Sequence, residues 1–184
     1  FHQAYFTRET AKGENMKNIT TKMMAQSAVI AAVYVVLTLA FAPISFGAIQ
    51  FRISEALCIL PFFTVAAIPG VSIGCLLANI LGGAALPDII FGTLATLIGA
   101  ILSYRLRSIS KWLVCVPPIL ANAIIIPFVL KYAYGLPDLI PYMMLTVGIG
   151  EVLAVGVLGN LLMLALEPKS SFVFGSENKV SQKV

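Results

Sequence analysis

Gln50-Phe51-Arg52-Ile53-Ser54-Glu55 places two opposite charges and two hydrogen-bonding side chains at the mouth of an apolar run. The run continues as Ala56-Leu57-Cys58-Ile59-Leu60-Pro61-Phe62-Phe63, and no further charge occurs until Asp88. If Ile53 onward is helical, Arg52 and Glu55 are three apart and share one face, close enough to pair or to grip a ligand from two sides. An ionisable group at membrane depth costs roughly 2.5–3.5 kcal/mol on insertion scales, which makes such groups markers of binding sites or pathways. The alternative for this stretch is an interfacial ion pair that anchors a helix end.

Composition identifies the solvent. Of 184 residues, 59% are hydrophobic and 11% charged, with a mean hydropathy of +0.96; a soluble domain is roughly a quarter charged. The chain therefore reads as an all-α integral membrane protein of one compact bundle. The net charge of +4 does not point to nucleic acid, because the basic residues lie in loops and tails and form no stripe with interleaved aromatics. Cys58, Cys75 and Cys115 sit in apolar stretches without C-x-x-C spacing and read as small packing residues. The one histidine, His2, lies in the polar N-terminal segment, so no metal or cofactor is expected in the core.

Turn and charge signals divide the chain into six spans: about 22–42, 53–68 with a bend at Pro61, 69–83, 87–104, 112–132 and 141–166. The second and third are short for a hydrocarbon core of roughly 30 Å, which needs about 20 residues. Residues 1–15 are polar, and Met16-Lys17-Asn18 reads as a translation start, so the first fifteen form a tail without function. Residues 16–167 form the transmembrane domain and residues 168–184 a polar tail. The first apolar run shows no small-residue cleavage pattern of a signal peptide.

Six spans place Arg8, Lys12, Lys17, Lys22, Arg105, Arg107, Lys111, Lys169, Lys179 and Lys183 on one side, and only Arg52 and Lys131 on the other. The positive-inside rule makes both termini cytoplasmic, and Tyr104 and Trp112 flank the basic loop as interfacial aromatics. Glu55, Asp88, Asp138 and Glu151 then fall in the outer half, with Asn79 towards the outer end of the third span and Asn122 mid-way along the fifth. A cavity so lined favours a polar, cationic ligand with donors on a flat edge. Asp138, after Leu136-Pro137, also reads as an exposed turn, and Asp88, after Pro87, as a residue favouring its helix dipole. Glu151, between Gly150 and Val152-Leu153-Ala154-Val155-Gly156, has no such structural excuse.

Small residues mark close helix approach: Ala28 and Ala32, Gly70 and Gly74, and Gly148, Gly156 and Gly159. Packing within the bundle is the ordinary use of such spacing.

The segments Gln50 to Leu57 with Leu60-Pro61-Phe62, Gly74-Cys75-Leu76-Leu77-Ala78-Asn79 with Gly82-Gly83, and Asp88 to Thr96 resemble the queuosine-precursor transporter (QueT) family. The likeness covers about Met16 to Leu166, and its first segment is the most specific. The resemblance implies a six-helix substrate-binding S component of an energy-coupling factor transporter. Such a protein binds a deazaguanine precursor of queuosine outside, docks on a coupling protein with two ATP-hydrolysing subunits, and releases the ligand inside. It also implies that Ala28 and Ala32 match the alanine motif that contacts the coupling protein. An aminomethyl-deazaguanine or queuine carries a protonated amine and a purine-like edge. Glu55 or Glu151 suits the amine and Asn79 and Asn122 the ring, with Gln50, Arg52 and Asp88 completing the substrate-binding set. Phe46, Phe51 or Tyr142 are candidates for stacking.

The sequence contains no G-x-x-x-x-G-K-[ST] loop, so ATP hydrolysis is expected from separate subunits. Two other readings fit the residues. One is an S component for another nutrient, such as a cobalamin or a pyrimidine. The other is a membrane-embedded hydrolase using Glu55 and Glu151 as acid and base, against which stand the lack of a core histidine, a metal cluster or a nucleophile elbow.

Overall fold

A computed structural model of the chain describes residues 2–45 and 51–175, which places Gln50 and Phe46 outside the described residues. All regular structure among the described residues is helical. The elements are α1 (His2–Ala40), α2 (Ala42–Ser45), a 3-10 helix (Ile53–Phe62), α3 (Ala67–Leu81), α4 (Leu86–Leu106), a short 3-10 turn (Lys111–Cys115), α5 (Val116–Tyr132), α6 (Ile140–Glu151), a π-helix (Val152–Gly159), α7 (Asn160–Leu166) and, after one more turn, α8 (Ser170–Phe174). Four continuous helical stretches, Thr21–Ala40, Leu86–Leu106, Lys111–Tyr132 and Ile140–Phe174, are long and apolar enough to cross a membrane; Ile53–Phe62 and Ala67–Leu81 are shorter apolar helices.

The structure departs from expectation at three places. First, α1 begins at His2, far ahead of Lys22. Second, the segment after Arg52 is a 3-10 helix over its whole length instead of an α-helix bent at Pro61. Proline lacks an N–H and cannot continue an α ladder, whereas the tighter ladder holds on either side of it: Glu55 N–H donates to Arg52 O at 3.0 Å and Phe63 N–H to Leu60 O at 2.9 Å. A 3-10 helix rises about 2.0 Å per residue, so these ten residues reach roughly 20 Å, a third further than an α-helix of that length. Third, the last span changes to π geometry immediately after Glu151 and continues past Leu166, until Phe174 stacks on Phe63 with ring centroids 5.2 Å apart.

The 3-10 helix is the axis of the bundle. Nine of its ten residues, Ser54 to Phe62, are buried, as befits a helix that is apolar all round beyond its polar first turn. α1 packs on α3 through glycine: a Cβ at Gly70 would lie 2.9 Å from Ile30 Cβ, and one at Gly74 would lie 2.7 Å from Tyr34 Cβ and 3.1 Å from Ala31 Cα. Gly99 of α4 approaches Pro118 of α5 as closely, its notional Cβ being 2.8 Å from Pro118 Cα. Gly159 of the π-helix lies over Ala56, with 3.3 Å from its notional Cβ to the Ala56 carbonyl oxygen. Ala28 and Ala32, by contrast, are exposed. They line an apolar groove of about 900 Å³ between α1 and α3, together with Met24, Val35, Ile73 and Leu77. At the end opposite Arg52, Lys111 pairs with Glu167 at 3.2 Å and Arg107 lies 3.9 Å over the Tyr104 ring.

The seam predicts a contrast between glycines. Gly74→Leu forces a side chain against Tyr34 and the α1 backbone and is expected to cost about 1–3 kcal/mol, in line with overpacked cores. Gly148→Ala meets only Ala123 Cβ at 3.7 Å and should leave stability level or raise it slightly. Thermal unfolding of the purified variants in detergent reads both; equal melting would mean that the α1–α3 seam is not tight.

Candidate functional site

Six sequence-predicted polar residues are buried in one neighbourhood contributed by five elements. Arg52 and Glu55 come from the 3-10 helix, Asn79 from α3, Asp88 from α4, Asn122 from α5 and Glu151 from α6; all are at most 5% exposed. Contact follows from the chain's own construction. The 3-10 helix at the bundle axis turns its polar first turn towards the ends of α3 and α4, while Glu151 lies twelve positions into the last span, where α6 passes the same level.

Arg52 and Glu55 find separate partners instead of each other as their salt-bridging mates. Arg52 Nη2 lies 3.5 Å from Asp88 Oδ2, and its Nε donates to the Ser45 carbonyl at 3.4 Å. Glu55 accepts at both oxygens: the Tyr34 hydroxyl donates to Oε1 and the Cys58 thiol to Oε2 at 3.0 Å. One turn further along α1, the Thr38 hydroxyl donates to the Tyr34 carbonyl at 2.9 Å, so in the 2.7 Å contact between Thr38 and Ser54 it is Ser54 that donates. These bonds fasten α1 to the 3-10 helix at the level of the site.

Asp88 has a second partner from the loop after α5. The Tyr134 hydroxyl donates to Oδ2 at 3.0 Å and accepts from the Ala85 N–H at 3.1 Å. Lys131 shapes that loop by donating to the carbonyls of Leu136, Pro137 and Asp138 at 3.0–3.2 Å. Partial burial, together with the adjacent Asp88 carboxylate, raises the Tyr134 hydroxyl above the ordinary tyrosine pKa, against the opposing pull of the Ala85 N–H. A raised pKa in the folded state favours the neutral hydroxyl, so this bond persists through neutral pH and is lost as pH rises past that raised value.

Several polar atoms are left over. Asn79 donates its amide to the Asp88 carbonyl at 3.4 Å, but its Oδ1 has no hydrogen-bond partner. Asp88 Oδ1, Asn122 Nδ2 and Glu151 Oε2 are likewise buried without partners. Glu151 lies beside Asn122 and within electrostatic reach of Glu55 and Arg52. Gly92, one turn beyond Asp88, lets these side chains pack close to the α4 backbone: a Cβ there would stand 3.2 Å from Asn79 Nδ2 and 3.3 Å from Asp88 Oδ1. Three apolar grooves among the described residues are lined by other side chains.

Other expected contributors fall outside this neighbourhood. Tyr142 is 57% exposed and Asp138 is exposed in its loop. Tyr34, Cys58, Gly92 and Tyr134 were not among the sequence candidates. For Tyr34 a signal existed, since a hydroxyl in mid-span requires a buried partner; a loop tyrosine such as Tyr134 gives none.

A family model described as QueT transporter matches residues 24–168. A curated relative, the queuosine precursor transporter QueT of Lactococcus lactis subsp. cremoris (strain MG1363), is 38% identical over 103 residues, covering 53% of this chain. The matched stretch spans 60% of that relative's length. No solved structure matches the chain.

The ion pair and the tyrosine bond should differ in weight. Arg52→Met strands a buried carboxylate and is expected to cost about 3–5 kcal/mol. Tyr134→Phe removes a bond at the rim, where water can substitute, and should cost about 1 kcal/mol. Urea or thermal unfolding in detergent measures both, and an Arg52→Met variant as stable as the parent would remove the pair from its structural role.

Proposed function

The chain belongs to the QueT transporter family, and we propose on that premise that it is the substrate-binding S component of an energy-coupling factor importer. Its ligand is a queuosine precursor, an aminomethyl-deazaguanine or queuine, taken up from outside. The observation that carries this reading is the set of unpartnered atoms: Asn79 Oδ1, Asp88 Oδ1, Asn122 Nδ2 and Glu151 Oε2. An unsatisfied buried polar group costs about 1–3 kcal/mol, and four on four different helices would be an unusual burden for a purely structural core. As assigned, three are acceptors and one is a donor. A flat, nitrogen-rich ring bearing an ammonium group presents the complementary surplus of donors.

The membrane protein is multi-pass. In this reading Ile53–Phe62 and Ala67–Leu81 complete six spans, both termini are cytoplasmic, and the site opens outward, with residues 16–167 as the binding domain. Gln50, Arg52, Glu55, Asn79, Asp88, Asn122 and Glu151 surround the ligand. The exposed Ala28–Ala32 face and its apolar groove receive the transmembrane coupling protein, because small side chains let a partner helix approach closely. Two ATPase subunits supply the energy.

Two experiments test the two halves. Calorimetry on the purified protein with aminomethyl-deazaguanine, queuine and cobalamin should give tight binding to the deazaguanines; tight binding to the corrinoid alone would replace the substrate and keep the class. Ala28→Trp with Ala32→Trp should abolish co-purification with the coupling protein while ligand affinity stays within about twofold, since Ala28 and Ala32 are exposed and make none of the bonds of the buried polar neighbourhood. Retained assembly would move the docking face elsewhere.

A further inference from the structure

Resting on the binding role just proposed, we infer that Glu151, seconded by Asn122, is the residue that takes the ligand's positive charge, so that the site selects ring compounds bearing a protonated amine over neutral compounds with the same ring. The sequence leaves Glu55 and Glu151 as equal candidates for this task. Their hydrogen bonds separate them.

Glu55 is 1% exposed and both its oxygens are occupied, by the Tyr34 hydroxyl and by the Cys58 thiol at 3.0 Å. A ligand amine arriving there would have to displace donors that also fasten α1 to the 3-10 helix. Asp88 already faces a cation, with Arg52 3.5 Å from Oδ2 and the Tyr134 hydroxyl 3.0 Å from the same oxygen. Its remaining oxygen, Oδ1, is buried without a partner and packs against Gly92, beside the Asn79 amide. That pair suits the neutral N–H groups of a ring edge, because the carboxylate's charge is already balanced.

Glu151 is the carboxylate left over. It takes part in neither salt bridge among the described residues, and its Oε2 is buried without a partner. Asn122 is its side-chain hydrogen-bonding neighbour, and Asn122 Nδ2 makes no close hydrogen bond of its own. Among the buried side chains described, Glu55, Asp88 and Glu151 stand against one cation, Arg52. A buried carboxylate in a bilayer is stabilised by a hydrogen-bonded cation, and an ammonium group brought by the ligand is that cation. Glu55 then acts as a positioning residue, holding the 3-10 helix and α1 in register around the guest.

Two compounds that share the deazaguanine ring, one with an aminomethyl group and one with a nitrile in its place, test this on the unaltered protein. Calorimetry should show the amine bound at least about tenfold more tightly, since an interaction with a buried charge is worth more than one ordinary hydrogen bond. Glu151→Gln should weaken the amine about tenfold or more and leave the nitrile within about twofold, erasing the preference. Glu55→Gln should leave the ratio between the two compounds intact. Gly92→Ala should weaken both alike, by crowding Asn79 and Asp88. Equal affinities of the unaltered protein for the two rings would overturn the assignment while leaving a deazaguanine-binding role standing, and this comparison needs no variant to fold. Loss of the preference in Glu55→Gln but not in Glu151→Gln would move the charge site to Glu55. Binding of neither ring would overturn the assignment together with the role on which it rests.

Discussion

A bilayer core supplies no hydrogen bonds, so each polar side chain that the bundle buries must be met by another protein group or by a guest. This constraint divides the buried polar set in two. Tyr34, Thr38, Ser54, Glu55 and Cys58 satisfy one another across α1 and the 3-10 helix, and Arg52 and Tyr134 meet one oxygen of Asp88, Oδ2, at the N-terminal end of α4. The second set, on α3, α4, α5 and α6, is incomplete. Bonds of the first set hold in place the frame within which the second set stays open.

Irregular helices make that division geometrically possible. The 3-10 helix gives a ten-residue segment enough reach to run along the bundle axis and bring Arg52 and Glu55 to the level of α4 and α6. The π-helix does the opposite, widening the last span just after Glu151. Single π turns recur at functional sites because the extra residue redirects side chains and loosens the local ladder. The two segments pack together where Gly159 meets Ala56, so these two departures from α geometry lie next to the buried polar side chains.

The all-helical membrane class and all six described polar candidates were legible in the sequence for one reason: charged and amide groups inside apolar runs cannot be placed against lipid, and burial against one another is the remaining option. Pairing was not legible. Spacing put Arg52 and Glu55 on one face, but Arg52 reaches across to Asp88, because long side chains choose partners in space and the 3-10 winding alters the faces that an α-helical count assigns. The π turn left no mark either, since Val152 to Gly159 reads equally well as an α-helix. Tyr134 entered through Lys131, which folds a loop by gripping three carbonyls, an effect with no periodic signature. Ala28 and Ala32 show the converse: the same small-residue spacing that seals α3 to α1 at Gly70 and Gly74 is left uncovered on the neighbouring face of α1.

That double use of α1 connects the interior to the surface. Tyr34 and Thr38 hold the helix to the polar neighbourhood, and Ala28 and Ala32, one to two turns away on the same rigid element, line the exposed groove. Gly70 and Gly74 clamp it from α3 with backbone-close contacts that permit little independent shift. A change at Glu55 that displaces Tyr34 must therefore move α1 and α3 as a unit, and with them both walls of the groove. Tight packing in the seam is what turns a local hydrogen-bond rearrangement into a shift of the whole α1–α3 pair against the rest of the bundle; a loosely packed α1 would absorb it.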